Sequence, residues 1–436
     1  MSIDKLVIGP GRVETLTEDE EKKLKQVWAY LLNFFGYKVV QPGAYRSISR
    51  RPTVTSSIVS NDSKKKNKGL MGRFKMSSLK RSKSIEKLER VLSHHSANSM
   101  TEDGFVIHKC FKGLDNNDMY KAFWGFLRHD TPDNLILRFV RARKWDVDNA
   151  MVMLTNTMKW RCYEGKPDQI MINGELGCQK DGKEGFMYQM RVGKCLVHGH
   201  DRKGRPLANV RARLHHSSDQ TTEEIEMYTM MVIETARLML TEPVDTCDIV
   251  FNLSGMTMSN MDYGAVSYMV KCFEAHYPEC LGILFVHKAP WIFSGIWKII
   301  KNWLDPVVAS KIVFTNTVED LAKHIDRKHI LKELDGDDDF EWNYLEPTES
   351  KNGLLSDNKE EKEAVEEERK QIIARFIQKT IEWIEAPDDI TSKNLLKEKI
   401  QIGRELGDNY KTLDGYIRNR GVYDRLGDIT FKVATD

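Results

Sequence analysis

Histidine pairs come nearest to a catalytic or metal-binding pattern in this sequence. His198 and His200 stand two positions apart, a spacing that puts strand side chains on one face, where two imidazoles could ligate a metal ion. His215 and His216 are adjacent to each other. No third ligand is spaced to join the first pair, so we interpret it as part of a surface strand edge rather than a metal site.

The glycine patterns that cradle phosphates or position nucleophiles do not occur in this chain. There is no G-x-x-x-x-G-K-[ST] loop, no G-x-G-x-x-G that opens a helix after a strand, and no G-x-S-x-G elbow. The seven cysteines form no C-x-x-C pair, and an odd number without a secretory leader is typical of free thiols in a reducing compartment. We therefore predict a cytoplasmic protein that is not an enzyme, holds no metal or cofactor and binds no nucleic acid.

The segment 287–306, HKAPWIFSGIWKIIKNWLDP, carries tryptophans six residues apart, at Trp291, Trp297 and Trp303. On a helical wheel most apolar side chains of this segment share one broad arc, opposite two lysines and an asparagine. A membrane-spanning role is disfavoured, because each lysine at mid-membrane costs about 2.5–3.5 kcal/mol. Two interpretations stay open from these residues alone: a helix packed on the core, or an amphipathic helix at a membrane interface.

Alternating strand and helix patterns predict the elements that position this segment. Ser294 is placed to cap the tryptophan-rich helix, and Asp305 with Pro306 to end it. The helices between strands imply a mostly parallel sheet with crossover connections. The strand patterns lie at 194–197, 207–211, 248–253, 282–286 and 311–314, and the other connecting helices at 222–241 and 264–277.

Helical patterns also flank this α/β region. Thr17 and Glu20 form a capping box for a helix at 18–35, whose apolar residues fall on one face. Two further charged helical stretches follow the sheet, at 360–386 and about 391–420. We expect these helices to pack back onto the domain or to offer a surface for a partner.

The segment 41–98 differs from the rest of the chain in charge and in pattern. It holds fourteen lysines and arginines against three acidic residues, is rich in serine and shows no hydrophobic period, which predicts a disordered basic segment. Cations mixed with leucine, methionine and phenylalanine favour an anionic lipid surface, at about 1 kcal/mol per cation near the surface. A solvated linker is the alternative. The motifs KRSKS and RRPT within this segment also resemble substrates of basophilic kinases.

Ordered motifs across 117–335 carry a family resemblance. "LILRFVRARKWDVDNAMVMLTNTMKWR" resembles the N-terminal helices of CRAL-TRIO lipid-binding proteins, and "HDRKGRP" resembles their hairpin. "EAHYPECLGILFVHKAPWIFSGIWKIIKNWLDPVVASKI" resembles the Y-P-E…N-A-P…F…L-D-P…S-K-I signature of the yeast secretory phosphatidylinositol transfer family. With its flanking helices and basic segment, the whole chain resembles the fungal non-classical members, a branch linked to phospholipase D regulation.

The resemblance implies an α/β fold in which a helical N-lobe precedes a lipid-binding lobe built on a mixed, mostly parallel sheet, with a C-terminal helical extension. It predicts a protein that holds one phospholipid, phosphatidylinositol, in a closed cavity and moves or presents it between membranes. The predicted domains are an N-terminal helix at 1–40, the basic segment at 41–98, the helical lobe at 99–165, the lipid-binding domain at 166–345 and the extension at 346–436.

Partners and compartment follow from the same resemblance. The expected partners are membrane phospholipids, a membrane surface and a lipid-modifying enzyme such as phospholipase D. The expected location is cytoplasmic and peripheral on endosomal or endoplasmic-reticulum membranes. Two alternatives remain: a carrier of another lipophile such as squalene or a sterol precursor, and an adaptor that recruits a lipid-modifying enzyme.

Site residues are implied by the family motifs. Headgroup recognition would use Glu279 of Y-P-E, Lys311 of S-K-I, and Arg143 and Lys144 of R-A-R-K. The tryptophan-rich segment corresponds to a mobile gate over the cavity. The gate residues are Trp291, Phe293, Ile296, Trp297, Ile300, Trp303 and Leu304.

Two departures from the family pattern affect lipid choice. Val308 stands where the family has threonine, which removes one hydroxyl contact to the headgroup phosphate. In the segment "NLSGMTMSN", Asn252 replaces an aspartate, and Thr257 and Ser259 are candidates for a second set of polar lipid contacts. We expect weaker inositol-lipid affinity than in classical members, and doubtful choline-lipid binding.

Overall fold

The computed structural model describes residues 8–39, 99–100, 105–352 and 359–431. The basic segment predicted at 41–98 lies outside the described residues. The helices of the described residues are α1 (Glu18–Phe34), α2 (Asn116–Phe126), α3 (Pro132–Ala142), α4 (Val147–Lys159), α5 (Pro167–Lys180), α6 (Glu184–Val192), α7 (Thr222–Leu238), α8 (Tyr263–Lys271), α9 (Phe293–Ile300), α10 (Pro306–Ser310), α11 (Val318–Ala322), α12 (Lys359–Ile384), α13 (Asp389–Ile417) and α14 (Val422–Leu426).

The strands form a two-stranded hairpin and a larger mixed sheet. The hairpin is β1 (Ser99–Met100) and β2 (Val106–Ile107), and the sheet has the order β3-β4-β5-β6-β7. Strand β3 is antiparallel to β4, and all the other neighbours are parallel. The sheet strands are β3 (Cys195–His200), β4 (Pro206–Arg211), β5 (Cys247–Asn252), β6 (Leu281–His287) and β7 (Ile312–Thr315).

These strands confirm the predicted fold class. Helix α7 crosses from β4 to β5, α8 from β5 to β6, and α9 with α10 from β6 to β7. The antiparallel step at β3 is set by Asp201, whose carboxylate accepts from the backbone N–H groups of Lys203 and Arg205 and from the Arg205 guanidinium. This turn reverses the chain tightly, whereas each parallel pair needs the longer crossover that a helix supplies.

Helix α1 packs into one helical body with α2, α3 and the C-terminal helices. Its predicted capping box is present, because Thr17 accepts from the backbone of Glu20 and the Glu20 side chain accepts from that of Thr17. Trp28 of α1 is fully buried against the rings of Phe123 and Phe376. The N-terminal helix, the N-lobe and the C-terminal extension therefore share one apolar core, while the predicted domain boundaries stay predictions.

A buried ionic network joins the helical body to the α/β lobe. Glu234 of α7 is fully buried and accepts hydrogen bonds from Arg161 at 2.7 Å and from Arg128 at 3.1 Å. Arg237 and the Tyr277 hydroxyl donate to the same carboxylate. Burial alone would raise the pKa of this carboxyl, but three guanidinium groups hold the pKa well below its ordinary value. Losing one partner of such a cluster leaves a buried charge uncompensated, at a cost of about 3–5 kcal/mol.

Two details predicted for the tryptophan-rich helix are wrong. The N-cap residue of α9 is Ile292, whose side chain cannot accept a capping hydrogen bond. Ser294 therefore lies inside the first turn and does not cap the helix. The helix ends at Ile300, and Asp305 instead caps α10 by accepting from the backbone N–H of Val307. Helix α9 is therefore followed by hydrogen-bonded turns at 301–303, and a separate helix, α10, begins at Pro306.

Candidate functional site

A largely apolar cavity of about 270 Å³ lies between the sheet and helices α7, α8 and α9. Side chains two apart on a strand share a face, and alternate residues of β4 and β5 point into this space. The lining residues of these two strands are Ala208, Val210, Cys247, Ile249 and Phe251. Phe285 of β6 faces the opposite, filled core, whereas its neighbours Leu284 and Val286 line the cavity.

The two crossover helices present apolar faces to the same space. On α7 the lining positions recur at helical spacing, and on α8 they include an adaptable methionine, Met269. These lining residues are Ile225, Tyr228, Thr229, Val232, Ile233 and Ala236 on α7, and Ala265, Val266, Met269 and Val270 on α8. An apolar ligand is the chemistry that these faces favour, because polar side chains are a minority of the lining residues.

The gate residues divide between the cavity and the protein surface. Phe293, Trp297, Ile300 and Leu304 line the cavity, and Ile296 is buried beneath the helix. In contrast, Trp291 is 88% exposed and Trp303 is 36% exposed. The segment thus has apolar groups on both sides: one set covers the cavity, and the other faces outward, where soluble proteins rarely leave tryptophan.

Hydrogen bonding leaves the gate segment loosely tied. Within the described residues, the hydrogen bonds of 289–304 stay inside that segment, as in Phe293 to Pro290 and Lys301 to Trp297. Its two ends are tied to the fold, since the Lys288 N–H donates to Thr315 and the Asp305 N–H to the Glu274 carboxylate at 2.7 Å. Between these ties, apolar contacts alone hold the segment against the described part of the lobe.

Two of the predicted headgroup residues lie at the amino-terminal edge of the sheet. Glu279 is half-buried two residues before β6 and has a positive φ of 57°. Lys311 is half-buried at the start of β7, and its ammonium donates to the carbonyl of Leu281 at 2.8 Å. The start of β6 and the start of β7 therefore lie side by side, and the Lys311 side chain reaches the first residue of β6.

The other two predicted headgroup residues are exposed at the end of α3. Arg143 lies close to Glu274: burial raises the pKa of that carboxyl, and the Arg143 charge acts to lower it. Lys144 has a positive φ of 52° and is exposed as well. In the parts of the chain that are described, no hydrogen bond or ion pair joins Arg143, Lys144, Glu279 and Lys311 to one another, and their assignment to a headgroup stays a prediction.

Thr257 and Ser259 lie outside the cavity lining. Both are exposed, and their hydroxyl oxygens are 2.8 Å apart. The Thr257 hydroxyl also donates to Asn260, the neighbour that does line the cavity. The role predicted for this pair as second lipid contacts stays a prediction.

A buried lysine on the cavity wall escaped the sequence analysis. Lys194 is 4% exposed, lines the cavity, and donates from its ammonium to Nδ1 of His215 at 2.8 Å. Nε2 of His215 lies 3.3 Å from a carboxylate oxygen of Asp262. Burial lowers the pKa of Lys194 to about 8. The only sequence signal was a lysine immediately before an apolar strand, which is also a common surface pattern.

The other histidine pair has ordinary partners. His198 lies 3.0 Å from Asp338 and stacks on Phe340, and His200 contacts the carbonyl of Asp201. Among the described residues, no group of three or more His, Cys, Asp or Glu side chains could hold a metal ion. No helix in the described part of the chain is long and apolar enough to cross a bilayer.

Comparison with known proteins gives two family-model matches. Residues 190–336 match the CRAL/TRIO domain, and residues 87–156 match the CRAL/TRIO N-terminal domain. The first match contains the whole sheet and the gate segment. The second contains α2 and α3 and most of α4, which build the helical body.

Relatives extend the similarity over almost the whole chain. The chain is 45% identical to "Phosphatidylinositol transfer protein CSR1" of Eremothecium gossypii, over 96% of this chain and 98% of that protein. It is 39% identical to "CRAL-TRIO domain-containing protein C3H8.02" of Schizosaccharomyces pombe, over 96% and 92% respectively. The "SEC14 cytosolic factor" of Yarrowia lipolytica is 29% identical over 42% of this chain and 38% of its own length.

Proposed function

The chain belongs to the CRAL/TRIO domain family, and on that premise we propose that it is a phosphatidylinositol transfer protein. It carries one phospholipid in the apolar cavity, without covalent chemistry, and moves or presents it between membranes. The observation that carries the proposal is the cavity itself, walled by the sheet, α7 and α8 and covered by the loosely tied gate segment. Support also comes from a relative named for phosphatidylinositol transfer that is 45% identical over nearly the full length of both chains.

The energetics of lipid carriage require such a cover. Each acyl methylene removed from water is worth about 0.8 kcal/mol, so some thirty methylenes amount to roughly 25 kcal/mol. An open groove would leave much of this area in contact with water, whereas a covered cavity shields both chains. Loading and release then require the cover to move, and a segment held by apolar contacts alone can detach without breaking hydrogen bonds to the sheet.

The polar headgroup would sit at the amino-terminal edge of the sheet. An inositol phosphate offers anionic oxygens to cations and hydroxyl groups to a carboxylate. In the proposal Lys311, Arg143 and Lys144 take the phosphate oxygens, and Glu279 accepts from inositol hydroxyls. Thr257 and Ser259 lie away from this edge, and a direct lipid contact from them would require the gate segment to open.

The finer parts of the proposal rest on the resemblance noted in the sequence. They are a regulatory link to phospholipase D, and peripheral association with endosomal and endoplasmic-reticulum membranes from the cytoplasm. The basic segment at 41–98 would contribute attraction to anionic lipids. A second candidate function is carriage of a neutral hydrocarbon such as squalene, which the mostly apolar faces of α7, α8 and the sheet favour.

Identification of the lipid bound to the purified full chain tests the proposal. Lipids are extracted from the protein expressed in a fungal host and quantified by mass spectrometry against the protein. Near-stoichiometric phosphatidylinositol is expected. Hydrocarbon at that stoichiometry, with phosphatidylinositol absent, would reject the proposal in favour of the second candidate.

Transfer between vesicles tests the assigned headgroup residues. The double variant Lys311→Ala and Arg143→Ala removes two charge-assisted contacts, each worth about 1.5–3 kcal/mol, so transfer of phosphatidylinositol should fall at least about tenfold. The matched control is Lys370→Ala with Arg375→Ala on α12, where the two side chains are exposed and make only surface ion pairs. Equal transfer by both double variants would refute the site assignment.

A further inference from the structure

The cavity has a second polar end, opposite the proposed headgroup site. Lys194 accepts at its carbonyl from the backbone N–H of Arg211, so it lies beside the last residue of β4. His215 follows β4 and Asp262 follows β5, which puts all three at the carboxyl edge of the sheet. Because Glu279 and Lys311 flank the starts of β6 and β7, and a seven-residue strand spans about 20 Å, the two polar ends are separated by the length of the sheet.

Hydrogen-bonding capacity at this second end is not used up. The Lys194 ammonium has three N–H donors, and among the described residues its one hydrogen-bond partner is His215. One oxygen of Asp262 is occupied by the backbone N–H groups of Gly264 and Ala265, which it caps. Two ammonium N–H donors therefore remain at an apolar cavity wall, where a ligand without an acceptor would leave them unsatisfied.

Charge at this end decides which ligand group fits. The carboxylates of Asp219 and Asp262 both raise the pKa of Lys194 against burial, so two negative groups act on one positive group. His215 is neutral while its Nδ1 accepts from the Lys194 ammonium, so it adds no charge to these three groups. An incoming carboxylate or phosphate would add a third negative charge to a poorly hydrated site, which is unfavourable.

A hydroxyl group fits these constraints. Its oxygen can accept from the Lys194 ammonium, and its proton can be donated onward to a carboxylate. Asp219 has a buried carboxylate oxygen, Oδ2, without a hydrogen-bond partner in the described residues, and its charge acts on both Lys194 and His215. Lys194 thus keeps two N–H donors at the cavity wall, and behind it the Asp219 carboxylate, which does not line the cavity, has an oxygen without a partner in the described residues.

We propose that Lys194, His215 and Asp262 form an internal subsite that binds the hydroxyl group of a neutral lipid, such as a long-chain alcohol. The proposal rests on the function proposed above only in requiring that the cavity holds lipid. It adds a cargo class and an orientation, with the polar group at the carboxyl edge and the hydrocarbon directed toward the amino edge. It also predicts discrimination against pure hydrocarbons, which cannot satisfy the lysine.

Three probes of equal chain length test this subsite: deuterated 1-hexadecanol, hexadecanoic acid and hexadecane. Each is incubated with the delipidated full chain, and the amount retained after gel filtration is measured by mass spectrometry. One net hydrogen bond of about 1–1.5 kcal/mol corresponds to roughly tenfold tighter binding of the alcohol than of the hydrocarbon. The Lys194→Met variant should reduce that ratio below about twofold, whereas Lys370→Met, an exposed control on α12, should retain it.

The outcomes separate this inference from the proposed function. Equal retention of alcohol and hydrocarbon by the unaltered protein overturns the subsite, even if the Lys194→Met variant fails to fold. Stronger retention of the acid than of the alcohol overturns it as well. Phosphatidylinositol binding is measured on the same preparation: its absence alongside alcohol binding would sink the proposed function and leave the subsite standing.

Discussion

The outward-facing tryptophan of the gate segment should control membrane binding. Trp291 is 88% exposed, lies two residues before the start of α9 and, unlike Phe293, does not line the cavity. Tryptophan is favoured at membrane interfaces, so replacing it should weaken vesicle binding while leaving the cavity intact. The change to test is Trp291→Ala in the full chain.

The size of the effect follows from exposed area. A tryptophan side chain covers about 150–250 Å², and at about 25 cal/mol per Å² an almost fully exposed one would gain roughly 4 kcal/mol on complete transfer from water. An interfacial position removes about half of that area, which leaves about 2 kcal/mol. Since about 1.4 kcal/mol is tenfold in an equilibrium constant, the vesicle partition coefficient should fall about 30-fold.

Sedimentation with phosphatidylcholine–phosphatidylinositol vesicles measures this partition. Ile390→Ala is the matched control, because Ile390 is 76% exposed on α13, remote in sequence and structure from the gate. The control should bind vesicles like the unaltered protein. If Trp291→Ala also binds normally, or if Ile390→Ala loses as much binding, the gate segment is not the membrane contact and the reasoning fails.

Three further changes test packing, charge and cavity volume. Lys399 is fully buried among the rings of Trp28 and Trp383 and pairs with Asp133. Lys399→Met alone leaves the Asp133 charge uncompensated and should lower the free energy of unfolding in urea by about 3–5 kcal/mol. Adding Asp133→Asn should recover much of that loss. Burial lowers the pKa of Lys399 to about 8, so between pH 8 and 10.5 the unfolded chain binds more protons than the folded chain. The free energy of unfolding contributed by this residue should therefore rise with pH across that window, which urea unfolding at several pH values measures. Val210→Trp on β4 fills the cavity and should lower the extracted lipid per protein severalfold with about 1–3 kcal/mol of strain; unchanged lipid content would contradict the cavity assignment.

Periodicity predicted the elements that build the sheet. Strands were predicted at 207–211 and 311–314, and the helices between strands implied parallel pairing, which the pairs β4-β5, β5-β6 and β6-β7 confirm. The hairpin before β4 could be read from its turn residues. These features are local in sequence, so one pattern per element was enough to place them.

Long-range pairing could not be read in the same way. The helix at 18–35 was predicted, but its burial of Trp28 against Phe376 joins segments more than 300 residues apart. Glu234 looks like an ordinary helix residue in the sequence, yet its carboxylate binds Arg237 of the same helix and also the distant Arg128 and Arg161. Nothing in a single chain indicates which distant cation will meet a buried acid.

The gate segment shows why composition alone left its role open. A six-residue spacing rotates successive tryptophans by about 240° on a helix, so they cannot all share one face. The wheel grouped Trp297 with Trp303, whereas in the structure Trp297 lines the cavity and the ring of Trp303 contacts that of Tyr263. Both kinds of side chain occur on either side of the end of α9: Leu304 lies beyond it and lines the cavity, whereas Trp291 lies before the helix and is exposed.

The path of the gate segment connects the two polar ends of the cavity. It leaves β6 at the carboxyl edge and returns to β7 at the amino edge, so its residues pass over the full length of the cavity. Because both of its ends are tied and its middle is held by apolar contacts, displacement of the middle exposes the two polar ends together. A phospholipid with its headgroup near Lys311 and an alcohol with its hydroxyl near Lys194 would then leave through one opening, and because both fill the same apolar space, binding of either should exclude the other.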